Sequence, residues 1–120
     1  MLRYKKKKRK LMERCVEFLS EFLENKLPQS GKIAPYPVHF EWPGTKFEGL
    51  FVVEADHSGE EFTGRRIKTA MRKKDSDKIV SHYYFKGTNK ELAAQIKACD
   101  IDELVREFDG FVNTVEDFED

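Results

Sequence analysis

Residues 38–54 read as a β-hairpin whose register can be written down from the sequence. In Val38-His39-Phe40-Glu41-Trp42 apolar and polar residues alternate strictly. After Pro43-Gly44-Thr45-Lys46 the alternation resumes, with Phe47, Gly49, Phe51 and Val53 on one face and Glu48, Leu50, Val52 and Glu54 on the other. A four-residue loop sets Trp42 opposite Phe47, Phe40 opposite Gly49 and Val38 opposite Phe51. Register and apolar face then agree, and a slip of one residue would turn the whole apolar set toward water.

The segments around the hairpin extend the sheet and supply helices. A polar loop, Asp56-His57-Ser58-Gly59-Glu60-Glu61, leads to a third strand near 62–73, and Lys74-Asp75-Ser76-Asp77 turns the chain into a fourth at 79–86. Over residues 8–27, Leu11, Met12, Cys15, Val16, Phe18, Leu19, Phe22 and Leu23 recur at helical spacing. Glu13, Glu17, Ser20, Glu21 and Glu24 take the other side, and Pro28 ends the run. Thr88-Asn89-Lys90-Glu91 has the form of a capping box ahead of Leu92, Ala93, Ala94 and Ile96. Asp100 is placed to cap a last helix with the apolar stripe Ile101, Leu104, Val105, Phe108, Phe111, Val112, Val115 and Phe118. Gly110 lies inside it and costs about 1 kcal/mol against Ala, which a kink or a close contact would explain. The order α-β-β-β-β-α-α predicts an α+β fold: a four-stranded antiparallel meander sheet with one N-terminal helix and two C-terminal helices packed mainly on one face.

The chain is long enough for one core, with 120 residues of which 39% are hydrophobic. This composition excludes a membrane span, a collagen-like fibre and a disulfide scaffold. Ten Phe, four Tyr and one Trp are more aromatic surface than a disordered chain carries. Cys15 and Cys99 both fall in helical apolar patterns, where cysteine behaves as a small hydrophobe. Glu13, Arg14, Glu17 and Glu21 interrupt any apolar leader core, so a reducing, cytoplasmic location is expected.

Charge is balanced but segregated: 22 basic and 22 acidic residues cancel, yet residues 1–12 carry +7, residues 65–78 carry +5 and residues 100–120 carry −8. Two consequences compete. The basic segments can serve an anionic partner, or the basic start can dock on the acidic end. Lysines at a helix N-terminus oppose the helix dipole, so residues 1–10 are read as a fraying basic arm and 11–120 as a single α+β domain.

The strongest functional pattern lies on the third and fourth strands. Arg66, Lys68, Arg72 and Lys74 share one face, with Ile67, Thr69 and Met71 on the other. Beside the basic row the fourth strand contributes either Tyr83 and Phe85 or His82 and Tyr84, depending on register. Cations that track phosphates next to rings that stack bases suit single-stranded nucleic acid. The expected nucleic-acid contacts are therefore Arg66, Lys68, Arg72 and Lys74, with Tyr83 or Tyr84 for stacking and Lys6, Lys7, Lys8 and Arg9 from the arm. Against this stands a register that places Glu48 opposite Lys68 with Glu41 beyond it, where cross-strand ion pairs use up positive potential.

Catalytic patterns are thin. His39, His57 and His82 are isolated, neither cysteine belongs to a C-x-x-C, and single scattered glycines form no phosphate loop. Glu54, Asp56, His57, Glu60 and Glu61 are the candidate ligands for a divalent cation, and Glu41, Glu48 and Lys68 the candidate set for a metal-dependent nuclease. The expectation is a small non-catalytic binding protein with no metal and no cofactor. Its partner is nucleic acid or, alternatively, a protein bound by an inhibitor, immunity-type or adaptor module; no membrane is involved, and an amphipathic helix offers a homodimer surface.

Overall fold

The computed structural model describes residues 2–56 and 64–116, with side chains over 4–56 and 64–115. Among them the order is α1 (Leu2–Asn25), β1 (Tyr36–Glu41), β2 (Phe47–Ala55), β3 (Arg65–Lys73), β4 (Ile79–Gly87), α2 (Asn89–Ala98) and α3 (Ile101–Glu116). The strands pair antiparallel in the order β1-β2-β3-β4, so the fold is the expected α+β meander. The first hairpin has the register read from its alternation: Phe40 faces Gly49, Val38 faces Phe51, and the Trp42 N–H donates to the Phe47 carbonyl at 3.1 Å. The Phe40 ring lies across the bare backbone of Gly49, where a Cβ would come closer than 3.0 Å.

All three helices contribute to one core on one side of the sheet. Met12, Leu19 and Leu23 of α1, Leu92 and Ile96 of α2, and Leu104 and Phe108 of α3 are buried against Phe51, Val53, Ile67 and Met71. Phe108 sits at the centre of an aromatic cluster, with ring centroids 5.1 Å from Phe40, 5.3 Å from Phe51 and 5.5 Å from Trp42. Both predicted caps are present. Thr88 accepts from the Glu91 N–H while its own N–H donates to the Glu91 carboxylate, and the Asp102 N–H donates to Asp100 Oδ1 at 2.8 Å. A Cβ at Gly110 would meet nothing within 4 Å, so the close contact considered for it is absent and α3 runs unbroken from Ile101 to Glu116.

On α1 the structure changes two assignments. The helix begins at Leu2, earlier than the start expected at residue 8, and takes the lysine run into its first turns. Lys8 donates to Asp109 at 2.7 Å and Arg9 pairs with Asp102, so carboxylates of α3 offset charges that the helix dipole disfavours. Ser20 and Phe18 also exchange places relative to the expected stripe. Ser20 is buried, with its hydroxyl donating to the Val16 carbonyl at 2.7 Å, whereas Phe18 is 44% exposed and stacks beside Phe22 and Tyr36. The far end of α1 is held by buried polar side chains. Arg65 donates to the Pro28 carbonyl at 2.9 Å, and Asn89 donates to the carbonyls of Leu27 and Pro28, both at 3.0 Å.

Candidate functional site

The second face of the sheet carries a different chemistry. Leu50, Val52 and Ala70 are buried there, but no helical residue joins their cluster. Long charged side chains of β2 and β3 alternate with them along this face, and the stems of such side chains can cover apolar surface while their heads stay in water. Cross-strand register explains which heads meet: Glu48 faces Arg72, Val52 faces Lys68 and Glu54 faces Arg66.

The expected Glu48–Lys68 pair is therefore not formed. Glu54 instead accepts from Arg66, with Nε at 2.8 Å and Nη2 at 2.6 Å, and lies 3.7 Å from Lys68 Nζ. Glu48 Oε1 accepts from Arg72 Nε at 3.1 Å and Nη2 at 3.0 Å, and lies 2.8 Å from His39 Nδ1. Burial raises the Glu48 carboxyl, but the hydrogen bonds and charges of His39 and Arg72 outweigh it and leave the group below its ordinary value. The hydrogen bond that Arg66 donates to Glu54 raises Arg66, and the one that Lys74 donates to Glu41 raises Lys74.

A bulge decides the aromatic half of the face. Pairing shifts between Ile67 and Lys68, so Ile67 faces Phe85 while Lys68 faces Tyr83, and Tyr84 has no partner opposite it. The extra residue re-aims the side chains around it. Tyr83 shares the outer face with Lys68 and is 55% exposed, with the Arg66 guanidinium 4.2 Å above its ring. Tyr84 and Phe85 pack against the core, and burial raises the Tyr84 hydroxyl above its ordinary value. His82 faces Glu107 of α3 at 2.7 Å. Tyr84 is thus not on the basic face, which carries one ring of the two expected for stacking.

Other predicted residues divide similarly. Lys6 and Lys7 are exposed on α1, whereas Lys8 is only 12% exposed and is held between Asp109 and the Trp42 ring, 5.3 Å from its centroid. Three lysines not foreseen as contacts join the picture. Lys86 faces Arg66 across β3 and β4, and Lys46 and Lys73 line a cleft of about 440 Å³ with Lys74, Glu41 and Phe47. The first turns of α1 reach the same end of the sheet, where the Tyr4 ring covers Gly44. Meander topology was the available signal, because it places the β1–β2 and β3–β4 turns at one end.

Of the proposed cation ligands, His57, Glu60 and Glu61 lie outside the described residues, and Glu54 is engaged by Arg66 and Lys68. Among the described residues no three His, Cys, Asp or Glu side chains gather in metal-binding geometry. The nuclease set is not assembled either, since Lys68 lies beside Glu54 while Glu41 pairs with Lys74. No described helix is long and apolar enough to cross a membrane.

Fold and face together define an α+β protein with helices on one side of an antiparallel meander and a charged, ion-paired surface on the other. No protein-family model, curated protein or solved structure matches the chain.

Proposed function

We propose that this protein is a small non-catalytic binding module that lays a single-stranded nucleic acid along the open sheet face. The observation that carries this reading is the Arg66–Tyr83 pair, a guanidinium 4.2 Å above a ring that remains half exposed. A base stacking on such a platform gains roughly 1–3 kcal/mol. Lys68, Arg72 and Lys86 flank the ring on the same face, and Lys46, Lys73 and Lys74 continue the positive surface to the turn end. The carboxylates of Glu48 and Glu54 do not cancel this role. Arg66 and Arg72 give Nε and Nη2 to these carboxylates, so a phosphate can take the remaining Nη1 edge of each guanidinium that they hold in position.

The test is fluorescence anisotropy with labelled single-stranded DNA and RNA. About four phosphate contacts would weaken binding roughly fifty-fold between about 50 and 200 mM salt. Tyr83→Ala should weaken binding about ten-fold or more at either salt, whereas Arg72→Gln with Lys68→Gln should also flatten the salt dependence. No binding at the lower salt would refute the proposal. A second reading, a protein-interaction module, is favoured by the stack of Phe18, Phe22 and Tyr36, whose Phe22 and Tyr36 rings lie 4.3 Å apart at the surface. It predicts a stoichiometric protein complex that Phe18→Ser disrupts and Tyr83→Ala leaves intact.

A further inference from the structure

The side of α1 turned away from the core carries one continuous stripe at steps of three and four: Lys6, Lys10, Glu13, Glu17, Glu21 and Glu24, all exposed. Its sign changes once, near the middle of the helix. Basic residues occupy the half at the positive end of the helix dipole and acidic residues the half at the negative end, with no acid in the first turn and no base in the last. Charges along each half also stand four apart from charges of the same sign, as in Lys6 and Lys10 or Glu13 and Glu17. The stripe opposes the helix dipole at both ends and repeats like charges four apart, and both features disfavour an isolated helix. Lys8 and Arg9, on the flank, are satisfied by α3, but Lys6, Lys10, Glu13 and Glu17 enter no ion pair or hydrogen bond among the described residues.

One arrangement removes all of these conflicts. We infer that α1 pairs with α1 of a second copy, antiparallel, about a twofold axis near Arg14. Such pairing sets Lys6 and Lys10 of each copy against Glu21 and Glu17 of the other, and Arg14 against Glu13. It also opposes the two helix dipoles. The interface is isologous, as a twofold dimer requires, because a surface with one basic and one acidic half is complementary to its own reversed image. The contact runs along a single helix about 36 Å long and is made by charged side chains rather than an apolar core, so the dimer is weak and salt-sensitive. The open sheet face points the other way and stays available, so this inference does not depend on nucleic-acid binding.

Sedimentation velocity over a concentration series tests it. The expected result is a monomer–dimer equilibrium that weakens about ten-fold or more as NaCl rises from about 0.05 to about 0.5 M. K6E/K10E makes the stripe wholly acidic, and E17K/E21K makes its facing positions basic; each variant alone should be monomeric. Mixed in equal amounts, the two should form a heterodimer, a recovery that no general loss of folding can imitate. A chain that stays monomeric at low salt, or a dimer that survives K6E/K10E unchanged, overturns the inference.

Discussion

Gly49 and Gly110 are both glycines inside regular elements, and they should respond oppositely to the same substitution. A Cβ at Gly49 would strike the Phe40 ring, which is pinned among Trp42, Phe51 and Phe108. Gly49→Ala is expected to lower stability by about 1–3 kcal/mol in urea unfolding. At Gly110 the space is open, so Gly110→Ala should raise stability by about 0.5–1 kcal/mol and leave the helical circular dichroism unchanged. Glu48 gives a pH dependence of definite sign. Its carboxyl lies below the ordinary value of 4.5 in the folded protein, so the stability it contributes is present above that pH and is lost as pH falls through the folded value. Glu48→Gln should remove that acid-side loss, measured as melting temperature against pH. The Phe40–Gly49 pair was legible in the sequence because strand alternation fixes who faces whom. The vacancy around Gly110 was not, because nothing local reports what stands beside a helix.

At the scale of elements, local chemistry was readable wherever an element is satisfied by its own residues. The capping box of α2 closes between Thr88 and Glu91, three positions apart, and needs no tertiary partner. Thr88→Ala should therefore cost about 1 kcal/mol in chemical unfolding, through an orphaned N–H at the helix start. β4 behaves differently. Its residues Tyr83, Tyr84 and Phe85 alternate as any strand would, yet the shift opposite Ile67 and Lys68 sends Tyr83 outward and turns both following rings toward the core. The sequence holds no glycine at that point to announce the irregularity. α1 shows the same limit: local rules disfavour lysines in its first turns, but Asp109 and Asp102 of α3 hold Lys8 and Arg9 there.

Over the whole molecule, the first and last helices meet. Lys8 and Asp109 are 101 positions apart, and Asp109 also accepts from Trp42 Nε1 at 2.9 Å, so one carboxylate joins α1, the first hairpin and α3. Asp109→Ala leaves a largely buried ammonium and an indole N–H without their acceptor. It should cost about 1–3 kcal/mol, and fluorescence of the single tryptophan, Trp42, should report the loss. The sequence by itself determined the order of elements, the α+β class, the first hairpin's register and both helix caps. Those features rest on periodicity and on contacts a few residues long. Only the tertiary structure decided that Tyr83 rather than Tyr84 joins the basic row, that Arg66 and Arg72 reach Glu54 and Glu48, and that Lys8 and Arg9 turn to α3. The competing arrangements differ by single hydrogen bonds or ion pairs worth about 1 kcal/mol, and the choice falls to packing between residues that are distant in the chain.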